Sequence, residues 1–120
     1  MFHSLETLRM AQALATHAGA RQGAIAQNVA NADTPGYRAR DVAPFNTFYR
    51  SLRADAPPGT RPMPRPDIRP DADPATRSPD GNTVSLEHEM MRAAAARQQH
   101  DLALGVYSMA RDLLRASAGR

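Results

Sequence analysis

Apolar residues recur along two stretches of the chain at alternating spacings of three and four, the spacing of one helix face. The first stretch runs from about Ser4 to Asn31 without a proline and is rich in good helix formers. Its stripe consists of Leu8, Ala11, Ala15, Ala18, Gln22, Ile25, Val29 and Ala32. A stripe sustained over this length predicts a helix about 40 Å long.

The second stretch, from Leu86 to about Ala118, has the same spacing and also lacks proline. Its stripe consists of Met91, Ala95, Gln98, Leu102, Val106, Met109, Leu113 and Ala116. A second apolar line beside it consists of Met90, Ala94, Leu104, Tyr107 and Leu114. Ser85 is a candidate N-cap, and Glu87 and Glu89 lie where the helix dipole favours negative charge. The pattern predicts a second long helix.

Between the two helical stretches the composition changes abruptly, since eight of the ten prolines fall between about Ala54 and Asp80. Proline removes a backbone donor and disfavours helix at the preceding residue, so we expect a flexible, irregular linker. The predicted fold is all-α, with two long N- and C-terminal helices packed as a coiled-coil-like pair and joined by this proline-rich linker. The predicted division is a helix and its following turn over 1–50, the linker over 51–80 and a helix over 81–120, with the first and third segments forming one assembly domain.

The second apolar line leaves more apolar surface than one partner helix can cover. One interpretation is that it contacts other chains. The other is a simple intramolecular hairpin in which long Arg stems shield the extra line. The pattern favours neither interpretation over the other. The predicted seam residues are Leu8, Ile25, Val29, Met91, Leu102, Val106, Met109 and Leu113.

The composition narrows the possible functions. Aromatic residues make up only 5% of the 120 residues and Trp is absent, which favours a small core completed by neighbouring copies. The absence of Cys excludes disulfides and thiol catalysis. All fifteen basic residues are Arg, but they are dispersed among acidic residues and the net charge is only +3. Nucleic-acid binders cluster basic residues beside aromatic ones, so no nucleic-acid partner is expected.

Membrane insertion is not expected either, because the longest apolar runs fall far short of the ~20 residues that span a bilayer. The N-terminus also lacks the basic and apolar regions of a signal peptide, so we expect any export to leave it uncut.

Candidate catalytic and metal-binding groups do not converge in the sequence. His88 and Glu89 begin a zinc-protease helix pattern, but Arg92 stands where the second His would be. Three aspartates, Asp67, Asp71 and Asp73, fall in the linker, where we expect no fixed geometry. The sequence therefore predicts no enzyme activity, no catalytic or metal site and no cofactor.

The segment after the first helix, Asn28–Asp41, reads NVANADTPGYRARD and is the most unusual part of the chain. Asn31 can end the helix because asparagine tolerates the left-handed conformation. Pro35 and Gly36 suit the second and third positions of a type II turn, with positive φ at the glycine. An ordinary helix stop does not explain the crowding of polar residues, which favours a rigid corner docked against a neighbour. The predicted assembly site is Asn28, Asn31, Ala32, Asp33, Thr34, Pro35, Gly36 and Tyr37.

This segment resembles the signature of the flagellar rod and hook family, whose axial proteins carry an ANADTPGY-like segment after an N-terminal helix. A second element, DGNTV at residues 80–84, is similar to one that precedes the C-terminal helix of the proximal rod members. The short length and the RARD continuation at residues 38–41 favour those members too. Ser85 and His100 depart from the pattern, where an acidic and an aromatic residue are expected, and the linker is unusually rich in proline.

The resemblance implies a structural subunit of the proximal rod of the bacterial flagellar basal body, self-assembling through its terminal helices to transmit torque from motor to hook. It also implies type III export without signal cleavage and a periplasmic place in the rod. The implied partners are other rod subunits and the membrane-ring and export-gate adaptor proteins. Two alternatives remain open: a cytoplasmic coiled-coil adaptor or secretion chaperone, and a small Arg-rich nucleic-acid binder.

Overall fold

The computed structural model describes residues 2–55, 63–71 and 77–119. Its elements in chain order are helix α1 (Phe2–Ala30), strand β1 (Arg40–Val42), helix α2 (Phe45–Asp55), strand β2 (Ile68–Pro70) and helix α3 (Leu86–Ala118). Two long terminal helices packed against each other dominate the chain, which confirms the predicted fold class. Over the described residues, no helix has an apolar stretch long enough to cross a membrane.

Helices α1 and α3 form an antiparallel pair. Asn28, near the end of α1, hydrogen-bonds Glu89 in the first turn of α3, and the two helices remain in contact beyond this point. Only opposite directions allow both observations. At 1.5 Å per residue the helices are about 43 and 50 Å long, and the molecule measures 65 × 27 × 18 Å. Ser85 caps α3 as predicted, since its hydroxyl accepts a hydrogen bond from the His88 backbone N–H.

The α1–α3 contact is built largely from small residues. Residues buried on α3 recur every seven positions, and they are Glu89, Ala96, Ala103 and Ala110. The alanines buried along α1 are Ala11, Ala13, Ala18 and Ala24. Alanine lets two helices approach closely, but each methyl group contributes only about 0.8 kcal/mol when buried. The pair is therefore closely fitted and gains little apolar burial per residue.

The predicted α3 stripe lies on a different face of that helix. Its four large members, Met91, Leu102, Met109 and Leu113, are between 60% and 71% exposed. At 100° per residue, the centre of this stripe lies about 105° around the helix from the buried alanines. The spacing favoured the large apolar residues of α3 as the contact face, whereas the residues buried on α3 are mainly alanines. Whether this stripe forms a seam between subunits remains a prediction.

The other four predicted seam residues are all less exposed than this stripe. Ile25 is buried, Leu8 and Val106 are half-buried, and Val29 is exposed at the end of α1. The α1 stripe therefore agrees better with the observed burial than the α3 stripe does.

Helix α2 was not expected, because the neighbouring prolines dominated the interpretation of this region. Its apolar residues nevertheless follow helical spacing at positions 45, 48, 49 and 52. Phe48 and Leu52 are buried against Ala13 of α1, and Phe45, Tyr49 and Met63 pack around them. This aromatic cluster fills the side of α1 that α3 leaves open.

Part of the predicted linker is also ordered. β2 pairs with β1 in an antiparallel register in which Arg40, Asp41 and Val42 face Pro70, Arg69 and Ile68. Pro66 is buried and Met63 is half-buried, so this region does bury apolar surface. Asp71 is fixed in place here, contrary to expectation, while Asp73 lies outside the described residues. The division of the chain into domains stays a prediction.

The small-residue contact yields a stability prediction. We expect Ala103→Leu to lower the free energy of unfolding by about 1–3 kcal/mol, because added methylene groups have no space between closely packed helices. Ala95→Leu is the matched control, since Ala95 lies exposed on the same helix. Urea unfolding followed by far-UV circular dichroism measures both variants. Equal midpoints would show that the helices do not approach each other at Ala103.

Candidate functional site

The end of α1 is fixed by side-chain hydrogen bonds. Asn31 donates from Nδ2 to the Gln27 carbonyl oxygen at 2.8 Å, and its Oδ1 accepts from the Thr34 hydroxyl at 3.1 Å. The expectation that Asn31 adopts a left-handed backbone was wrong. In the described ranges, the residues with positive φ are Gly36 and Gly81. Local side-chain bonding, rather than an unusual backbone angle, ends this helix.

The Thr34–Tyr37 segment forms the predicted turn. The Tyr37 backbone N–H donates to the Thr34 carbonyl oxygen at 3.2 Å, and Gly36 has a φ of 75°. Positive φ at the third position is what a type II turn requires. The turn reverses the chain and sends it back along α1 towards β1.

Asn28 lies at the centre of the corner, the name kept here for residues 28–41, and is completely buried. Its Nδ2 donates to the Arg40 carbonyl oxygen at 2.8 Å and to Glu89 Oε1 at 3.1 Å. Its Oδ1 accepts from the Tyr37 hydroxyl and from the Arg40 backbone N–H, both at 3.0 Å. An asparagine amide has two donors and two acceptor positions, so every one is used. One side chain thereby joins α1, the turn, β1 and α3.

Asn82 joins the DGNTV element, residues 80–84, to the corner and is also buried. Its Nδ2 donates to the carbonyl oxygens of Asn31 at 2.9 Å and Thr34 at 2.7 Å. Its Oδ1 accepts from the Val84 backbone N–H at 2.8 Å. The last turn of α1 and the lead-in to α3 are thus held by one amide.

Backbone contacts complete the docking of the two segments. The Gly36 N–H donates to the Asp80 carbonyl oxygen at 2.9 Å, and the Thr83 N–H donates to the Tyr37 carbonyl oxygen at 3.0 Å. The Thr83 hydroxyl accepts from the Ala39 N–H at 2.7 Å. The corner was expected to dock against a neighbour, and in this structure residues 80–83 of the same chain fill that place.

Two glycines meet where the segments touch. A Cβ placed on Gly81 would lie 3.4 Å from the Gly36 Cα, and Gly81 has a φ of 87°. Residues with side chains rarely adopt that conformation, so the backbone at this position favours glycine, while the contact itself leaves room for a Cβ.

The predicted assembly residues divide into two groups. Those in the hydrogen-bond network are Asn28, Asn31, Thr34, Gly36 and Tyr37. Ala32 is half-buried, and Asp33 and Pro35 are exposed on the outside of the turn. Sequence reasoning missed Asn82, Thr83 and Glu89 as site residues. The DGNTV element was the available signal, but it was used as a marker of resemblance and not as a partner for the turn.

A charged cluster adjoins Asn28 and connects four segments. Arg92 Nη2 lies 2.8 Å from Asp71 Oδ2, and its other nitrogens lie 3.3 Å from Glu89 Oε1 and 3.8 Å from Asp41 Oδ2. Arg21 Nε pairs with Asp41 Oδ1 at 3.3 Å. The Glu89 side chain is only 1% exposed, and buried charges remain only where partners satisfy them. The cluster therefore links α1, β1 and α3 to residue 71.

Over the described ranges, no group of three or more His, Asp or Glu residues is arranged to hold a metal ion. The polar side chains of the corner hold segments of the chain together, and their arrangement fixes the geometry of the corner.

Residues 9–38, from the first part of α1 to just past the turn, match the family model described as flagella basal body rod protein. The match covers 30 of the 120 residues and shows that this segment is similar to the flagellar rod proteins. A comparison with curated proteins finds no match. The flagellar rod proteins are structural components of the basal body, and the match supports a structural role of that kind. The rod-family match includes Asn28 and Tyr37 but ends before residues 80–83.

The saturated amide of Asn28 gives the first site prediction. We expect Asn28→Asp to lower the free energy of unfolding by about 2 kcal/mol or more. The variant loses two donors and places a carboxylate against Glu89 Oε1 and the Arg40 carbonyl oxygen. Gln22→Glu is the control, because it makes the same amide-to-carboxylate change at an exposed position of α1. Chemical denaturation should separate the two variants, and similar losses would contradict the central role of Asn28.

A pair of glycine substitutions should change stability in opposite directions. We expect Gly81→Ala to destabilise the protein by about 1–2 kcal/mol, because an alanine is strained at positive φ. Gly23→Ala should stabilise it by about 0.5–1 kcal/mol, since Gly23 lies within α1 and an added Cβ meets nothing within 4 Å. Thermal unfolding midpoints measure both variants. A neutral Gly81→Ala would argue against the positive φ at Gly81.

Proposed function

We propose that this chain is a structural subunit of the proximal rod of the flagellar basal body, of the kind that its resemblance to FlgB implies. The observation that carries the proposal is the exposed apolar stripe of α3, defined here as Met91, Leu102, Met109 and Leu113. A rod subunit needs such a face, because it works only in contact with other subunits.

The distribution of side-chain sizes supports assembly. Helix α3 packs against α1 through alanines and leaves most of its large apolar residues exposed. Burying one Met or Leu contributes about 1.5–3 kcal/mol, compared with about 0.8 kcal/mol for a single methyl group. Contacts between copies would therefore bury more apolar surface per residue than the contact within one copy. This balance favours a polymer over an isolated monomer.

The spacing of the stripe favours a helix as its occupant. These four residues belong to the longer run from Met91 to Ala116 that steps by three and four. That spacing is typical of a coiled-coil seam, in which each side chain inserts between four residues of a facing helix. A terminal helix of a neighbouring rod subunit has the required shape. Several such contacts along a 33-residue helix would distribute load along its length.

The corner supports a role in transmitting torque. The amides of Asn28 and Asn82 fix where α1 ends relative to where α3 begins. A subunit locked in this way would resist sliding of one terminal helix along the other. The seam residues and the corner together would then pass torque from motor to hook without a change of shape.

The remaining parts of the proposal rest on the family resemblance. The partners are neighbouring rod subunits together with the membrane-ring and export-gate adaptor proteins, in a homo- and hetero-oligomeric assembly. The place of action is the periplasmic rod, reached through type III export without a cleaved signal peptide. The protein has no enzyme activity and binds no nucleic acid in this role.

A second candidate, a cytoplasmic coiled-coil adaptor or secretion chaperone, is favoured by the same exposed stripe, which would also fit a single partner helix. Fractionation distinguishes the two, because an adaptor would be missing from purified hook–basal bodies. A rod subunit would be retained in them.

Assembly through the stripe can be tested in a strain that lacks its own copy of the gene. We expect Leu102→Asp to abolish swimming and to remove the protein from purified basal bodies, because a charge would be buried in the seam. The isolated variant should keep its stability within about 0.5 kcal/mol, since Leu102 is exposed in the single chain.

Two variants serve as references for this experiment. Ser108→Asp adds a charge at an exposed polar position of the same helix and should swim normally. Ile25→Asp buries a charge within the chain and should lose both stability and assembly. Normal swimming with Leu102→Asp would refute assembly through this face.

A further inference from the structure

Among the described residues of the proline-rich segment is a short strap, defined here as residues 67–71, which covers one edge of β1. The Ala43 N–H donates to the Asp67 carbonyl oxygen at 2.9 Å, and the Asp71 N–H donates to the Ala39 carbonyl oxygen at 3.0 Å. The three residues of β2 between these bonds are all exposed. The strap is therefore held mainly at its two ends.

The two ends are held by different interactions. On the N-terminal side the chain is anchored by apolar contact, since Pro66 is buried and Met63 packs against the aromatic cluster of α2. On the C-terminal side the anchor is ionic, with Asp71 Oδ2 lying 2.8 Å from Arg92 Nη2. The Asp71 and Arg92 side chains are only 13% and 10% exposed, so water screens the pair weakly.

Arg92 is positioned independently of the strap. Glu89 on the same helix lies 3.3 Å from its Nη1, and Asp41 of β1 lies 3.8 Å from its Nε. These contacts hold the guanidinium where Asp71 meets it. A preformed partner lowers the entropy cost of closing the strap.

The charge balance allows Asp71 to detach from the cluster. Without Asp71, the two cations Arg21 and Arg92 remain with the two anions Asp41 and Glu89. Glu89 and Asp41 belong to α3 and β1, whereas Asp71 belongs to the strap. Asp71 can therefore leave with the strap while the charges of the helix pair stay matched.

We propose that the Arg92–Asp71 pair is a latch that closes the C-terminal end of the strap onto α3. The strap opens from this end while the α1–α3 pair and the corner stay intact. Opening bares the edge of β1 and the Arg92 guanidinium. This device does not depend on the rod role, because it is built from contacts within one chain.

Amide hydrogen exchange of the full chain tests the latch. Asp71→Asn should lower the protection factor of the residue 71 amide at least about tenfold, because it removes a charge-assisted hydrogen bond. The Ala43 amide should lose less protection, since the apolar anchor lies at its end of the strap. The Ala103 amide in α3 should be unchanged. Asp71→Glu, which keeps the charge, should restore part of the protection at residue 71.

Asp67→Asn is the matched control, because Asp67 lies exposed on the same strap and accepts through its backbone oxygen. Equal protection in Asp71→Asn and the parent chain would overturn the latch. So would equal loosening by Asp67→Asn and Asp71→Asn, which would show that the strap responds to any loss of charge.

A disulfide measurement in cells covers the case in which the isolated variant fails to fold. The chain has no cysteine, so Arg40→Cys with Pro70→Cys creates a single pair across the strap, at positions that face each other in the ladder. We expect rapid crosslinking when Asp71 is present and at least severalfold slower crosslinking when Asp71→Asn is added. Slow crosslinking with Asp71 present, or no difference between the two backgrounds, would overturn the proposal.

Discussion

One buried amide, that of Asn28, sets the geometry of this protein. Its two donors and two acceptor positions match four groups that come from the turn, β1 and α3. Aspartate has no donors for Arg40 and Glu89, and glutamine would carry the amide one methylene farther from α1. Because the amide is satisfied only when all four partners are present, the corner forms as a unit. The direction of α3 relative to α1 follows from it.

Beyond the corner, stability depends on a division between small and large side chains. Alanines bring α1 and α3 close together, while methionines and leucines remain on the far side of α3. This arrangement gives the single chain a defined shape with little apolar burial. It also leaves the larger side chains exposed, as the proposed contacts between subunits require.

The features that the sequence predicted correctly are those that depend on residues close together along the chain. Both long helices, the Ser85 cap and the turn at Gly36 follow from local spacing and backbone preference. The face of α3 that meets α1 was not predicted. Periodicity gives a large side chain such as Leu102 more weight than its neighbour Ala103, and it cannot identify the partner of either residue.

Pairings between distant parts of the chain were also missed. Asn82 bonds the turn, and Asp71 pairs with Arg92, although the separation of these residues in sequence gives no local signal. The prolines of the linker correctly argued against a long helix there. The prolines did not predict the short strand β2, since β2 forms only by pairing with β1.

Strand β1 has both of its edges occupied. On one side the Asn28 amide takes the place of a peptide group and bonds the N–H and carbonyl of Arg40, and on the other side the strap pairs with β1. An open strand edge has unpaired backbone N–H and C=O groups, which can pair with another chain and cause aggregation. In the proposed rod assembly, neighbouring copies would therefore meet through the helices, while the backbone of this strand is covered as long as the strap is closed.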